Sequence, residues 1–171
     1  MQSIKASTLA ASTNSMYSLA RAIAIGGAVV GALDAIDGVV FFALTAGMNP
    51  LQVLQYIASG ALGTSAFAGG LATVALGTLI HFALAYGFTT TFVVAWSRVD
   101  AIRKHGTVVG LAWGVGVWAF MNLLVLPLSH VPPSPFTVLS VVHGIIGHAF
   151  FVGLAAAVVA GRVLGQSGDA R

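Results

Sequence analysis

The chain has 171 residues, of which 58% are hydrophobic and only 6% are charged, and its formal net charge is +3. A soluble domain typically carries about 25% charged residues, so this composition excludes an ordinary water-soluble domain. The absence of cysteine excludes disulfides, thiolate metal sites and cysteine nucleophiles. The seven Lys and Arg residues are too scattered to line a nucleic-acid groove, so no nucleic-acid partner is expected.

The first 20 residues are rich in Ser, Thr and Ala and contain no continuous apolar core, which argues against a signal peptide. We expect residues 1–20 to form a cytoplasmic segment. Four apolar runs follow, at about residues 22–46, 71–96, 107–129 and 138–161, and each exceeds the ~20 residues needed to cross a bilayer. They predict an all-α, four-span transmembrane helical bundle over residues 21–162, followed by a cytoplasmic tail, 163–171.

The positions of the basic residues predict how the bundle is oriented. All of them precede span one, lie between spans two and three, or follow span four: Lys5, Arg21, Arg98, Arg103, Lys104, Arg162 and Arg171. Positive charge near the ends of spans is retained in the cytoplasm, so both termini are predicted to be cytoplasmic. Trp96 lies at the same end, beside Arg98, and fits an interfacial anchor.

The connection between spans one and two predicts a short helix at the outer surface. Asn49 is a good N-cap, and Pro50 suits the first helical position. The apolar residues that follow recur at helical spacing. This helix could be a lid packed on the bundle or a re-entrant segment that lines a cavity.

Small residues recur at four-residue spacing in every span, which permits close contact between helices. The pairs are Gly27 and Gly31, Ala83 and Gly87, Gly110 and Gly114, and Ala149 and Gly153. They predict a tightly packed bundle.

Two carboxylates, Asp34 and Asp37, lie in the middle of span one. An ionised Asp at the centre of a membrane helix costs about 2.5 to 3.5 kcal/mol on insertion scales. Residues three apart share one helix face, so we expect both side chains to face the interior of the bundle and to find partners there.

Residues of the other spans come to a similar depth in the membrane. At ~1.5 Å of rise per residue, Asp37, His81, Asn122 and His148 lie roughly 20 to 24 Å from the cytoplasmic ends of their spans, and Asp34 lies at about 18 Å. These five residues predict an interior polar layer. His143 is about 140° from His148 around the helix, so the two histidines are not expected to point into one site.

The polar layer has three interpretations. It could only hydrogen-bond the helices to one another and fix their register. It could relay protons, since Asp and His are the residues that such pathways use. It could also hold haem or a metal ion, with His81, His148 and Asp37 as the candidate ligands.

Motifs of soluble enzymes are absent from the sequence, so an enzyme would have to act on a lipid or a quinone within the bilayer. The leading hypothesis is a non-enzymatic membrane protein with a protonatable interior, such as a small transporter or an acid-tolerance factor. An accessory subunit or scaffold of a larger membrane complex is the alternative, and a haem- or metal-binding redox subunit is the third. The expected partners are the lipid bilayer and either further copies of the chain or the other subunits of such a complex.

The second half of the chain resembles the YagU-like family of bacterial inner-membrane proteins, especially at LPLSHVPPSPF (126–136) and HGIIGHAFF (143–151). In that family, a span with a histidine is followed by a basic loop, a span that ends in a Pro-containing turn, and a span with a Gly-His pair. The corresponding residues here are His81, Pro127, Pro132, Pro133, Gly147 and His148.

The first half is similar to bacterial membrane proteins that share a GxLD start, here Gly31 to Asp34, and an LQxIASG loop, here Leu54 to Gly60. The resemblance to the YagU-like family implies a four-span protein of the bacterial inner membrane that is linked to growth in acid. It implies no particular reaction, and it assigns no role to Asp34 and Asp37.

Overall fold

The structure is a computed structural model that describes residues 2–133 and 137–165, with side chains from residue 15 onward. Within these ranges it is helical and has no strand. The helices are α1 (Gln2–Ala46), α2 (Pro50–Leu62), α3 (Gly70–Arg98), α4 (Asp100–Lys104), α5 (Gly106–Phe120), α6 (Leu126–Leu128), α7 (Val138–Gly147) and α8 (Ala155–Gly165). A 3-10 helix (Gly63–Ala68) follows α2, and π-helical segments join α5 to α6 (Met121–Val125) and α7 to α8 (His148–Leu154).

Among the described residues, four helical stretches are long and apolar enough to cross a membrane, which confirms the predicted all-α fold and the number of candidate spans. They are Ser15–Ala46, Gly70–Arg98, Gly106–Leu128 and Val138–Gly165, called spans one to four below. The N-terminal segment is continuous with span one, because α1 already begins at Gln2. Residues 166–171 of the predicted tail, which include Arg171, lie outside the described part of the chain, and so does the side chain of Lys5.

One end of the bundle is filled by a hydrophobic core to which all four spans contribute. Its buried members are Ala22, Val30, Ala85, Phe92, Val93, Trp96, Val117, Val152, Ala156, Ala157 and Ala160. Trp96 is only 9% exposed, so the prediction of an interfacial anchor is wrong. The indole lies inside the bundle because Gly106 leaves room for it, whereas a Cβ at that position would overlap the ring.

Spans three and four pack backbone to backbone through glycine. A Cβ on Gly114 would overlap the carbonyl oxygen of His148, and one on Gly153 would overlap that of Gly110. Close contact at the small-residue pairs is thus confirmed for these two spans. Ala83 and Gly87 are exposed instead, so the pair in span two is not a packing site in this chain.

The predicted start of the short helix is confirmed. The Asn49 side chain accepts a hydrogen bond from the Gln52 backbone N–H at 3.0 Å, and the Gln52 side chain accepts one from Asn49 N–H at 2.9 Å. This reciprocal capping box satisfies two backbone donors at once, and Pro50 occupies the first turn. Its position at the outer surface remains a prediction.

Helix α2 is attached to both of its neighbours. On one side, Gly77 of span two lies against the carbonyl group of Leu54, where a Cβ would overlap it. On the other side, His130 N–H donates to the Gly60 carbonyl oxygen at 3.0 Å. Helix α2 and the segment after span three are therefore held together across the same end of the bundle.

The π-helical segment of span three has a local cause. Pro127 has no N–H and cannot bond to the carbonyl group of residue 123, and the helix widens just before it, where Leu126 N–H bonds to Met121 O. In span four, the His148 N–H is shared between the carbonyl groups of Gly144 and Ile145, and the π-helical segment begins at this residue. Both segments lie at the level of the polar side chains.

We expect Gly114→Ala to destabilise the bundle by about 1 to 3 kcal/mol, because the added methyl group overlaps the backbone of span four. Gly116→Ala is the matched control, since a Cβ there meets nothing within 4 Å and alanine favours the helix. The unfolding temperatures of the purified variants in one detergent measure the difference. Equal temperatures would contradict the close packing of spans three and four.

Candidate functional site

The other end of the bundle contains a partly open cavity of about 870 Å³. Its walls come from all four spans, from α2 and from the segment after span three. The five residues of the predicted polar layer all line it: Asp34, Asp37, His81, Asn122 and His148. The structure therefore brings these residues to one space, and His143 lines the same space.

Asp37 of span one faces His143 of span four. The His143 Nε2 atom lies 3.2 Å from Asp37 Oδ1, and the side chains are 32% and 17% exposed. The imidazole stacks on the ring of Phe41, with the centroids 4.1 Å apart. Gly147 makes room for the carboxyl group, because a Cβ there would lie 2.6 Å from Asp37 Oδ2.

Asp34 faces His148, nearer the end of the bundle that the hydrophobic core fills. His148 Nδ1 is 2.9 Å from the Gly144 carbonyl oxygen, which can only accept, so Nδ1 carries a proton. In a neutral ring the Nε2 atom is then an acceptor, and it lies 4.0 Å from Asp34 Oδ1. A hydrogen bond between these two acceptors would need a proton on one of them, and a bridge between them would need a donor such as water.

His81 and Asn122 are bonded to helix backbone. His81 Nε2 donates to the Gly31 carbonyl oxygen at 2.8 Å, which links span two to span one. Asn122 Nδ2 donates to the Trp118 carbonyl oxygen at 2.9 Å, within its own span. The structure therefore gives His81 a role in joining helices, while the amide donor of Asn122 does not bridge between spans.

His143 is the residue that the sequence reasoning missed. The expectation that His143 and His148 could not serve one site assumed a single point of convergence. Spans one and four are antiparallel, so the two aspartates are spread along the cavity wall and each meets its own histidine. Aligning the two antiparallel spans by their ends, instead of comparing angles around one helix, would have placed His143 level with Asp37.

The described residues include no group of three His or Asp side chains that could hold a metal ion. His81, Asp37 and His148 line the same cavity, but they do not converge as a ligand set. The ring protons of His81 Nε2 and His148 Nδ1 are committed to backbone carbonyl groups. The metal hypothesis therefore gains no support from the geometry of these residues.

The fold and the site define a class: an all-helical protein with four helices able to cross a membrane and with Asp–His pairs in an interior cavity. No family model, no curated protein and no solved structure matches the chain. The resemblance to the YagU-like family therefore remains a prediction.

A double-mutant cycle tests whether Asp37 and His143 interact. We expect the free energies of unfolding of Asp37→Asn and His143→Gln to be non-additive by about 0.5 kcal/mol or more, since contacting residues couple on that scale. The free energies of unfolding are measured by adding dodecyl sulfate to the protein in micelles of a mild detergent. His143→Gln combined with Asp100→Asn is the control cycle, because Asp100 pairs with Arg103 in the exposed helix α4, away from the cavity. Additivity in both cycles would show that the contact contributes nothing.

Proposed function

We propose that the protein is a non-enzymatic multi-pass protein of the bacterial inner membrane, with both termini in the cytoplasm, that acts as a small proton-coupled transporter and supports growth in acid. The observation that carries this proposal is the presence of two Asp–His pairs, Asp37 with His143 and Asp34 with His148, in the wall of one cavity.

The residue types support proton handling. Ionisable residues within membrane spans are costly and mark ion pathways and proton relays, and histidine changes charge near physiological pH. The two aspartates are three residues apart, so the pairs are separated by about 4.5 Å along the helix. Water molecules in the cavity could carry a proton from one pair to the other over such a distance.

The exposure of the two aspartates also supports proton handling. The side chains of Asp34 and Asp37 remain 24% and 17% exposed, and both line the cavity, so water in the cavity can contact them. A group that exchanges protons must be reachable by water or by another carrier. Two pairs sealed in a dry core would be suited only to hydrogen bonding between helices.

The proton balance of the site follows from its groups. With both carboxyl groups ionised and both rings neutral, the two pairs carry two negative charges, and the uptake of two protons brings them to zero. The other titratable groups that face the cavity are His81 of span two and Tyr56 of α2. Span three contributes none among the described lining residues.

The π-helical segments provide a place for movement. Both adjoin the cavity, at Asn122 and at His148, and π-bulges occur frequently at functional sites. A transporter must expose its site to the two sides in turn. We infer that spans three and four bend at these segments when the site changes its exposure.

We expect Asp34→Asn and Asp37→Asn each to lower the survival of cells after an acid shift. The comparison uses cells in which the variant and the wild-type protein are present in the membrane at equal levels. An asparagine keeps the size of the side chain but cannot carry the proton. Infrared difference spectra of the purified protein, titrated from neutral to acidic pH, measure the proton uptake directly as the stretching band of a protonated interior carboxyl group. Each substitution should reduce that band.

Asp100→Asn is the control for both measurements, because it removes a carboxyl group from the exposed helix α4 and leaves the cavity intact. We expect this variant to keep the interior band and wild-type survival. If Asp34→Asn and Asp37→Asn both behave as the wild type in the two assays, the proton-handling proposal is wrong.

A further inference from the structure

The volume of the cavity exceeds what a proton relay needs. A chain of a few water molecules is enough to move a proton between side chains, whereas this cavity measures about 870 Å³. Sites for organic small molecules have volumes of about 300 to 1,000 Å³. The cavity is therefore large enough for an organic molecule next to the two Asp–His pairs.

The charged groups around the cavity determine the sign of the charge that a bound molecule can carry. Asp34 and Asp37 are its acidic groups, and no Lys or Arg side chain lines it within the described ranges. Nε2 of a neutral His148 adds an acceptor beside Asp34. A cation meets complementary charge here, whereas an anion would meet two carboxylates without a fixed counter-charge.

Most of the remaining wall is apolar, and much of it is aromatic. Phe41, Phe42, Tyr56, Phe88 and Trp118 all line the cavity, and the rings of Phe42 and Tyr56 are adjacent, with centroids 5.4 Å apart. Aromatic faces attract organic cations through the ring quadrupole and also provide apolar surface. A small hydrated metal ion would gain little from such walls.

We propose that the cavity binds a lipophilic organic monocation, with its positive charge near Asp34 and Asp37 and its apolar body against the aromatic wall. This inference rests on the proposed function, because it names the class of molecule that the protons exchange with. Binding of one cation displaces one proton from an Asp–His pair, so the net charge of the occupied cavity does not change.

Tetraphenylphosphonium and tetraphenylborate are a suitable pair of probes, because they have nearly the same size and opposite charge. We expect the purified full-length protein in detergent to bind the phosphonium saturably, more tightly at pH 8 than at pH 5.5, and to release protons as it binds. The borate should show no saturable binding. Isothermal titration measures the affinity, and a pH-sensitive dye in weak buffer measures the protons.

The carboxyl groups and the site of binding are tested by variants. We expect the double variant Asp34→Asn, Asp37→Asn to bind the phosphonium at least about tenfold more weakly, because the charge pairing is lost, while Asp100→Asn binds as the wild type. Trp118 lines the cavity and Trp113 does not. The change in tryptophan fluorescence on binding should therefore disappear in Trp118→Phe and persist in Trp113→Phe.

The outcomes separate this inference from the proposed function. Equal binding of both probes, or unchanged phosphonium binding in the double variant, would overturn the cation site. Absence of phosphonium binding, together with carboxyl-dependent acid survival, would overturn the site and leave the proton-handling proposal standing. Carboxyl-dependent binding without proton release would support the cation site and count against proton coupling.

Discussion

The way spans one and four face each other depends on the need to give two carboxyl groups partners inside an apolar helix bundle. An unpaired charge at the centre of a membrane helix is costly, and Asp34 and Asp37 lie on one face of span one, so one neighbouring helix can serve both. Span four runs antiparallel to span one and brings His143 to 3.2 Å from Asp37, whereas His148 lies at the level of Asp34 but 4.0 Å away from it. Gly147 then lets the helices approach closely enough for Asp37 to reach its partner.

The bundle divides into a packed end and a hollow end, and the sequence shows why. At the packed end, glycine and alanine of spans three and four allow backbone contact, and Trp96 and Phe92 fill the remaining volume. At the hollow end, Pro127 breaks the regular helix of span three, and aromatic side chains line the space without filling it. A polar site can persist there because the apolar packing that stabilises the fold lies elsewhere.

Much of this arrangement could be predicted from the sequence. The length and hydropathy of the apolar runs predicted the four spans, and Asn49 with Pro50 predicted the start of α2. The pairing of His143 with Asp37 could not be read from angles around a single helix, because it depends on the register between two helices. The burial of Trp96 depends on tertiary packing, which no local pattern in the sequence reports, whereas Pro127 is a local signal for the irregular helix just before it.

The geometry also bears on whether the polar residues only hold the helices together. Hydrogen bonds that join helices are short and have a donor facing an acceptor, as in the bond from His81 to the Gly31 carbonyl oxygen at 2.8 Å. The Asp34–His148 pair differs, because its atoms are 4.0 Å apart and a neutral ring offers Asp34 an acceptor. A pair without a direct hydrogen bond, beside a cavity of about 870 Å³, is poorly suited to fixing the register between helices. It is well suited to the reversible binding of a proton or a cationic group. This difference supports the proposal that Asp34 binds a proton or a cation, and it counts against a purely structural role for that residue.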